Sequence, residues 1–293
     1  LPRNHGKTVE WRKWNTLPEA ETLTEGVIPT GQKLGMSSMT QDLVQKGLYV
    51  TISDLLELHA IDNAILGATE ELGASGGMSI DKMVRNEVVG GTVKQLCDKV
   101  NATTGEHTEV TERSGMDTTC VLTPTEVNKA VTTLKKAHAP TINGKYVGII
   151  HPSVAFDLRQ SKEWVEAHKY AAVTELFNGE IGELHGVRFI ESTNQKVWND
   201  STCPVKTAAA SGNPAIYYSV YATIIMGKDA FAMIDPDGGT MEMIVKTKGE
   251  AGGPLEQFST VGYKYEGAAK RLYEERMVRI ESTSAYSATD PAN

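Results

Sequence analysis

Cysteine is scarce: Cys97, Cys120 and Cys203 are odd in number, far apart and without a C-x-x-C pair. Neither a disulfide framework nor a zinc site is supported, and a reducing compartment is the expected home. No apolar run approaches the ~18 residues of a membrane span, and the opening residues lack a basic-then-apolar signal pattern. The expectation is a chain neither inserted in a membrane nor secreted by that route. Basic residues are outnumbered, 29 Lys and Arg against 37 Asp and Glu, for a formal net charge of -8. A protein that grips nucleic acid by neutralising phosphates needs the opposite balance.

Signatures of chemistry are missing as well. None of the seven histidines stands at metal-site spacing, and His151 in IIHPSV reads as a structural or helix-capping residue. GASGG at residues 73–77 lacks the glycine spacing of a phosphate-binding loop and lies inside a helical pattern, so it reads as a bend. DPDGG, from Asp235 to Gly239, lacks the third oxygen ligand and closing glutamate of a calcium loop and reads as a turn. There is no G-x-S-x-G elbow, and neither Cys120 in DTTCVL nor Cys203 in STCPV has a nucleophile signature. A catalytic group assembled from distant residues stays open at this point.

What is present begins with enough apolar content, 40% of 293 residues, for one large core or two lobes. The opening stretch TVEWRKWNTLPEAETLTEGVIPTGQKLG, residues 8–35, has two tryptophans and no core period of its own. Arg3, Lys7, Arg12 and Lys13 against Glu10 make residues 1–15 basic, as a solvated charged arm would be. Val9 and Trp11 alternate as in a strand. So do Leu48, Val50 and Ile52 against Tyr49 and Thr51, which predicts a half-buried strand. Between them Pro18, Gly26, Pro29, Gly31 and Gly35 mark a long turn region. The expectation is an extended two-limbed arm. Its second limb, Leu34 to Ser53, spans about 65 Å at ~3.3 Å per residue, against a radius of gyration of roughly 19 Å for a compact chain of this length. Trp11 and Trp14 on such an arm need a surface to bury against, and a neighbouring subunit is the natural one.

Residues 54–90 read as helix, capped by Ser53 or Asp54, with Ile61, Ile65, Ala68 and Leu72 on one face. After the expected bend at GASGG, Ile80, Met83, Val84 and Val88 resume the pattern. In LTPTEVNKAVTTLKKAHAP, Thr123 is the N-cap, Pro124 the first helical residue and Glu126 the far end of a capping box. Val127, Ala130, Val131 and Leu134 form its apolar face, and Pro140 stops it. KYVGIIHPSVAFDLRQ predicts a buried strand running into a short helix, and KEWVEAHKY a further helical piece. Strands then dominate: GVRFIES, AIYYSVYATIIMG with Tyr218, Val220, Ala222, Ile224 and Met226 on one face, TMEMIVKTKG, FSTVGYKYE and RMVRIES. Without regular β-α alternation the fold class is α+β. The tail STSAYSATDPAN reads as surface-bound or mobile.

Along nearly the whole chain, GKTVEWRKWNTLPEAETLTEGVIPTGQKL, YVTISDLLEL, VRNEVVGGT, TPTEVNKAVTTLKKAHAP, YVGIIHPSVAFDL, EWVEAHKY, LFNGEIGELHGVRFIEST, VYATIIMGKDAF and GGPLEQFSTVGYKYEGAAKRLYEERMVRIES follow in a telling order. Their number and order resemble the major capsid proteins of tailed bacteriophages with the Hong Kong 97-type fold, in the branch typified by coliphage N-four. KVWNDSTCPVKTAAASGNPA departs from that pattern as a variable insertion.

The resemblance implies an N-terminal arm and extended β-hairpin loop over residues 1–53, and a long spine helix with the start of a peripheral domain over 54–119. It implies an axial domain over 120–238, and peripheral-domain strands with a tail over 239–293. It further implies hexamers and pentamers closing into an icosahedral shell around double-stranded DNA, without sequence-specific binding, in a virion assembled in the host bacterial cytoplasm. Scaffolding, portal and decoration proteins are the implied partners. No membrane, cofactor, metal or catalytic residue is implied. Val9, Trp11, Trp14, Leu23, Val27, Ile28 and Leu34 become the candidate subunit-interface residues. Two alternatives stay open: an encapsulin-like nanocompartment shell, told apart by protein rather than DNA cargo, and a soluble enzyme, told apart by a small discrete oligomer and a pocket of perturbed acids or bases.

Overall fold

The computed structural model describes residues 6–15, 17–59, 62–101, 104–169, 180–208, 215–234, 241–251 and 255–293. Arg3, Ile61 and the Asp235–Gly239 turn therefore lie outside the described residues. The chain opens with strands β1 (Thr8–Trp14), β2 (Met36–Asp42) and β3 (Val44–Ser53), then helices α1 (Asp54–His59) and α2 (Ala64–Val89). Short strands β4 (Lys94–Leu96), β5 (Lys99–Val100) and β6 (His107–Thr108) lead to α3 (Pro124–Lys136), β7 (Tyr146–Ile150), α4 (Pro152–Gln160) and α5 (Lys162–Lys169). Next come β8 (Glu180–Leu184), β9 (Val187–Glu191), β10 (Val197–Trp198), β11 (Val205–Thr207), β12 (Ile216–Tyr217), β13 (Val220–Met226) and β14 (Phe231–Ile234). The chain closes with β15 (Glu242–Lys246), α6 (Lys248–Ala251), β16 (Phe258–Arg271) and β17 (Met277–Ser282). Two compact units result: Leu1–Gly76 with Met233–Leu272, and Gly77–Ala232 with Tyr273–Asn293.

In the second unit the main sheet runs β4-β17-β13-β7-β9-β8, with β10 also paired to β13. β17, β13 and β7 are antiparallel neighbours, while β7 with β9 and β17 with β4 are parallel. The period-two face expected in β13 is there, but both faces are buried. Tyr221 and Ile225 join one core, with Val127, Ala130, Val131 and Leu134 of α3 and Val154, Ala155 and Leu158 of α4. Ala222, Ile224 and Met226 join the other, against Val88 and Val89 of α2. A central strand covered by helices on both faces reads as a nearly continuous apolar run, which β13 interrupts at the buried Thr223. Tyr218 precedes this strand.

α3 obeys its sequence signals, with one correction. Thr123 is the N-cap, its hydroxyl oxygen accepts from the Glu126 N–H at 3.4 Å, and Pro124 opens the helix. The box is not closed by the Glu126 carboxylate, because Gln95 Nε2 at 2.7 Å and Lys129 Nζ at 2.8 Å both donate to it. A buried carboxylate takes the charge-assisted partners available to it over a distant backbone N–H.

On β17, Glu281 is 2% exposed and is shared by two arginines. Arg113 forks onto it with Nε at 2.7 Å and Nη2 at 2.9 Å, and Arg279 Nε approaches Oε1 at 3.0 Å. Arg279 also donates from Nη1 to the carbonyls of Val89 and Gly91, so a cation closes the C-terminal end of α2 where the helix dipole is negative. Arg113 lies over the Trp198 ring, 3.9 Å from its centroid.

In the first unit β16 is the spine of a sheet, paired antiparallel with β15 and β3 and joined by β14. Two expectations change here. The helical region does not break at GASGG: α2 runs without interruption from Ala64 to Val89. The break falls before it, where the Asn63 Oδ1 caps the N–H groups of Ile65 and Leu66 at 3.1 and 3.2 Å and starts a new helix. Glycine at 76 serves close packing, since a Cβ there would collide with Met241 Sδ. Secondly, β3 is not half-buried. Only Ile52 is covered, while Leu48, Tyr49 and Val50 are exposed on both faces of a strand held by backbone pairing to β16.

That pairing requires glycine at one point of close approach. Gly262 faces Tyr49, and a Cβ on it would stand 2.7 Å from Tyr49 Cβ and 3.0 Å from the Leu48 carbonyl oxygen. The Gly262→Ala variant is therefore expected to lose about 1–3 kcal/mol through overpacking, read as a lower denaturant midpoint, with exchange protection lost first in β3. Unchanged β3 protection would refute the close-approach account.

Candidate assembly interface

β1 and β2 form a hairpin in the register Thr8↔Asp42 to Trp14↔Met36. Strand alternation sends Val9, Trp11 and Lys13 to one face and Thr8, Glu10, Arg12 and Trp14 to the other. The inner face is anchored: Val9 and Trp11 pack on Leu43, Ile234 and Ala268 of the same chain. Polar ties reinforce it, from the Leu43 N–H to the Lys7 carbonyl at 2.8 Å, Lys13 Nζ to the Leu272 carbonyl at 3.2 Å and Lys270 Nζ to Gln41 Oε1 at 3.4 Å. The two tryptophans of the opening stretch thus part company, and Trp14 stays 62% exposed beside Met36 at the far end.

Beyond Trp14 the chain makes a long loop with no regular structure in its described residues. Its neck is tied by the Asn15 N–H to the Gly35 carbonyl at 3.0 Å and by Ser37 Oγ to Asn15 Oδ1 at 2.6 Å. One tight turn breaks it: the Val27 N–H reaches the Thr24 carbonyl at 3.2 Å and Gly26 supplies φ +81°, the third-position glycine of a type II turn. Leu17, Leu23, Val27, Ile28 and Leu34 are all exposed, Ile28 at 94%. Of the seven candidate interface residues, the hairpin brings Val9 and Trp11 into contact with their own unit and leaves Trp14, Leu23, Val27, Ile28 and Leu34 bare.

Nothing in the apolar spacing singled out a second set, Leu55, Leu56 and Leu58 of α1, which is exposed as well. Consecutive leucines fit no one-sided helical stripe, and that misfit was the available signal.

Elsewhere the titratable groups do structural work. His151 is the N-cap of α4: its Nδ1 accepts from the Ser153 N–H at 3.2 Å. Burial holds its imidazole below the ordinary value, with Asp290 and Glu191 pulling the other way. Because the folded state disfavours the charged ring, stability is expected to fall as pH drops below about 6.5. His151→Asn keeps a cap and should flatten that dependence in urea titrations, whereas His151→Ala should cost about 1 kcal/mol at neutral pH; an unchanged pH slope in the Asn variant would refute this role. Burial pushes the thiol of Cys97 well up, that of Cys120 to about 11 and that of Cys203 up, which makes them inert rather than nucleophilic. Among the described residues no group of three or more His, Cys, Asp or Glu could hold a metal ion, and no helix is long and apolar enough to cross a membrane.

Comparison with known proteins places this geometry. The chain is similar in fold to the capsid of the cyanophage P-SCSP1u, with a TM-score of 0.63, 13% identity and 97% of this chain matched to 84% of that one. The capsid of Ralstonia phage GP4 gives a TM-score of 0.62 at 13% identity over 99% and 86% of the two chains. The head of Helicobacter pylori bacteriophage KHP40 gives 0.62 at 12% identity over 94% and 85%. No curated protein sequence matches. The sequence model of the phage capsid protein family matches residues 57–253, more than half the chain and spanning the long helix, α3 and the central strand. With that match the chain belongs to the phage capsid protein family.

Proposed function

We propose that the chain is the major capsid protein of a tailed phage with the Hong Kong 97-type fold, in the branch typified by coliphage N-four. It assembles as hexamers and pentamers into an icosahedral shell around double-stranded DNA. The observation that carries this reading is the bare loop on its anchored hairpin: Trp14, Leu23, Val27, Ile28 and Leu34 are exposed on a segment whose root is fixed to its own unit. In this reading residues 1–53 are the arm and extended loop and lie across an adjacent copy. α2 is the spine helix, residues 120–238 are the axial domain, and of the strands after 239, β15 and β16 belong to the peripheral domain while β17 returns to pair with β13. The role is structural rather than catalytic. Scaffolding, portal and decoration proteins complete the set of partners, and assembly takes place in the host cytoplasm.

Burial of each large apolar side chain stabilises association by roughly 1.5–3 kcal/mol, so many weak contacts repeated around closed symmetry suffice without a single tight site. A net charge of -8 suits a container that encloses DNA without gripping it. Native mass measurement of the purified full chain, with electron micrographs of the same sample, tests the reading. Closed megadalton shells are expected, and a monomer or dimer unchanged by higher concentration or added scaffold would overturn it.

A further inference from the structure

The last residues of the chain are held in an unusual way. Three hydroxyls converge on the Asp290 carboxylate: Ser153 Oγ at the start of α4 donates to it at 3.2 Å, Tyr221 OH on β13 at 2.6 Å, and Ser287 Oγ from the tail itself. The Asp290 carbonyl accepts from Ser219 Oγ at 2.7 Å and from Asn199 Nδ2 at 2.9 Å. Upstream, the Ala285 N–H donates to Asp157 Oδ2 at 3.0 Å. Downstream, Asn293 Oδ1 accepts from Arg85 Nη1 and the Val197 N–H, both at 3.0 Å, Asn293 Nδ2 donates to the Gln195 carbonyl at 2.9 Å, and Lys196 Nζ reaches the Asn293 carbonyl.

Apolar burial adds little. Tyr286 is 67% exposed, its ring tilted against a Phe156 that is itself 40% exposed, and residues 289 and 291–293 are exposed. None of the residues from 285 onward belongs to either apolar core of the unit. A segment fixed by hydrogen bonds, with an anionic carboxylate at their centre, and with no side chain in a core can leave without opening a cavity.

We propose that residues 285–293 form a detachable strap, locked by the ionised Asp290 carboxylate and released as a unit when that charge is removed, while β13 and the cores beneath stay folded. Release frees the Tyr221, Ser219 and Ser153 hydroxyls and the Asn199 amide as a polar surface. Burial pushes the Asp290 carboxyl up, but the hydrogen bonds from Ser287, Tyr221 and Ser153 together outweigh it and hold the group below its ordinary range. The lock is therefore closed at neutral pH and weakens only as pH falls below the ordinary aspartate value of about 3.9. The other charges facing the strap are His151 beside Tyr221, Asp157 at Ala285, and Arg85 and Lys196 at Asn293. Asp157 acts in the opposite sense, since burial raises its carboxyl and acid relieves that cost.

Hydrogen exchange on the full chain tests the strap. In Asp290→Asn at neutral pH, amides from 285 onward are expected to exchange at least about tenfold faster, the loss of charge-assisted bonds, while β13 keeps its wild-type protection. In the wild type the same segment should lose protection below about pH 4, before β13. Wild-type protection in Asp290→Asn, or loss in step with β13, would overturn the proposal. Should that variant not fold, the wild-type acid series decides alone: concerted loss of strap and β13 overturns it.

Discussion

Replacing Glu281 by Gln is expected to cost about 3–5 kcal/mol of unfolding free energy, the usual penalty for removing one partner from a buried ionic cluster. Glu281 is the only carboxylate hydrogen-bonded to the Arg113 fork among the described residues, and the Arg279 guanidinium lies against it. Without its charge the two guanidiniums face each other across a buried space, with side chains only 19% and 14% exposed. The amide can accept from one of them but cannot neutralise either. Urea unfolding of wild type and variant measures the difference, and a loss under about 1 kcal/mol, the range of surface ion pairs, would show that water reaches the cluster. Replacing all three members by apolar residues of similar volume should cost far less than the single change, because the desolvation penalty disappears with the charges.

The second large effect concerns assembly. Changing Leu23, Val27 and Ile28 together to Ser removes three exposed apolar side chains from the loop. If each is buried on association, about 5 kcal/mol per copy is lost, raising the concentration needed for assembly by roughly a thousandfold or more. The isolated subunit should keep its unfolding midpoint, because none of the three touches its own core. Sedimentation and light scattering across a concentration series read the first quantity, and circular dichroism melting reads the second. Shells that form at the wild-type concentration would remove the loop from the interface. A subunit that melts early would mean that the loop folds back on its own chain.

Local signals were legible where a residue acts on its neighbours in sequence. Thr123, Pro124 and the Val127–Leu134 face specified α3, and Pro152 after His151 marked the start of α4, because caps and periodicity involve residues three or four apart. GASGG misled because a glycine's helix penalty of about 1 kcal/mol is small beside tertiary packing such as Gly76 against Met241 and Tyr263. The β3 pattern misled in another way. Alternation shows that a strand has two chemically different faces, but not that anything in the same chain covers either of them.

Arg113 and Glu281 are 168 positions apart, and no spacing rule reaches that far. Within the candidate interface the extended loop and its apolar residues were visible as a set. The division between Trp11, half-buried, and Trp14, bare, was not, because it depends on which face of the hairpin meets Ile234 and Ala268. The α1 leucines stayed hidden among residues read as ordinary helix.

The hairpin's root and register have one further consequence. With Val9 and Trp11 seated on their own unit and the Asn15–Gly35 neck at the far end of the seven paired residues per strand, the stretch from Trp11 to Asn15 carries the loop about 13 Å past the last seated apolar side chain, at ~3.3 Å per residue. The ladder is thus a ruler. Deleting one residue from each strand would shorten the reach by only ~3.3 Å but turn every side chain beyond the deletion to the opposite face, whereas deleting two from each would restore the faces at a reach shorter by about 7 Å. Length and facing are therefore quantised together, and an insertion or deletion that preserves both the root and the outward face of Trp14 must come in pairs on each strand.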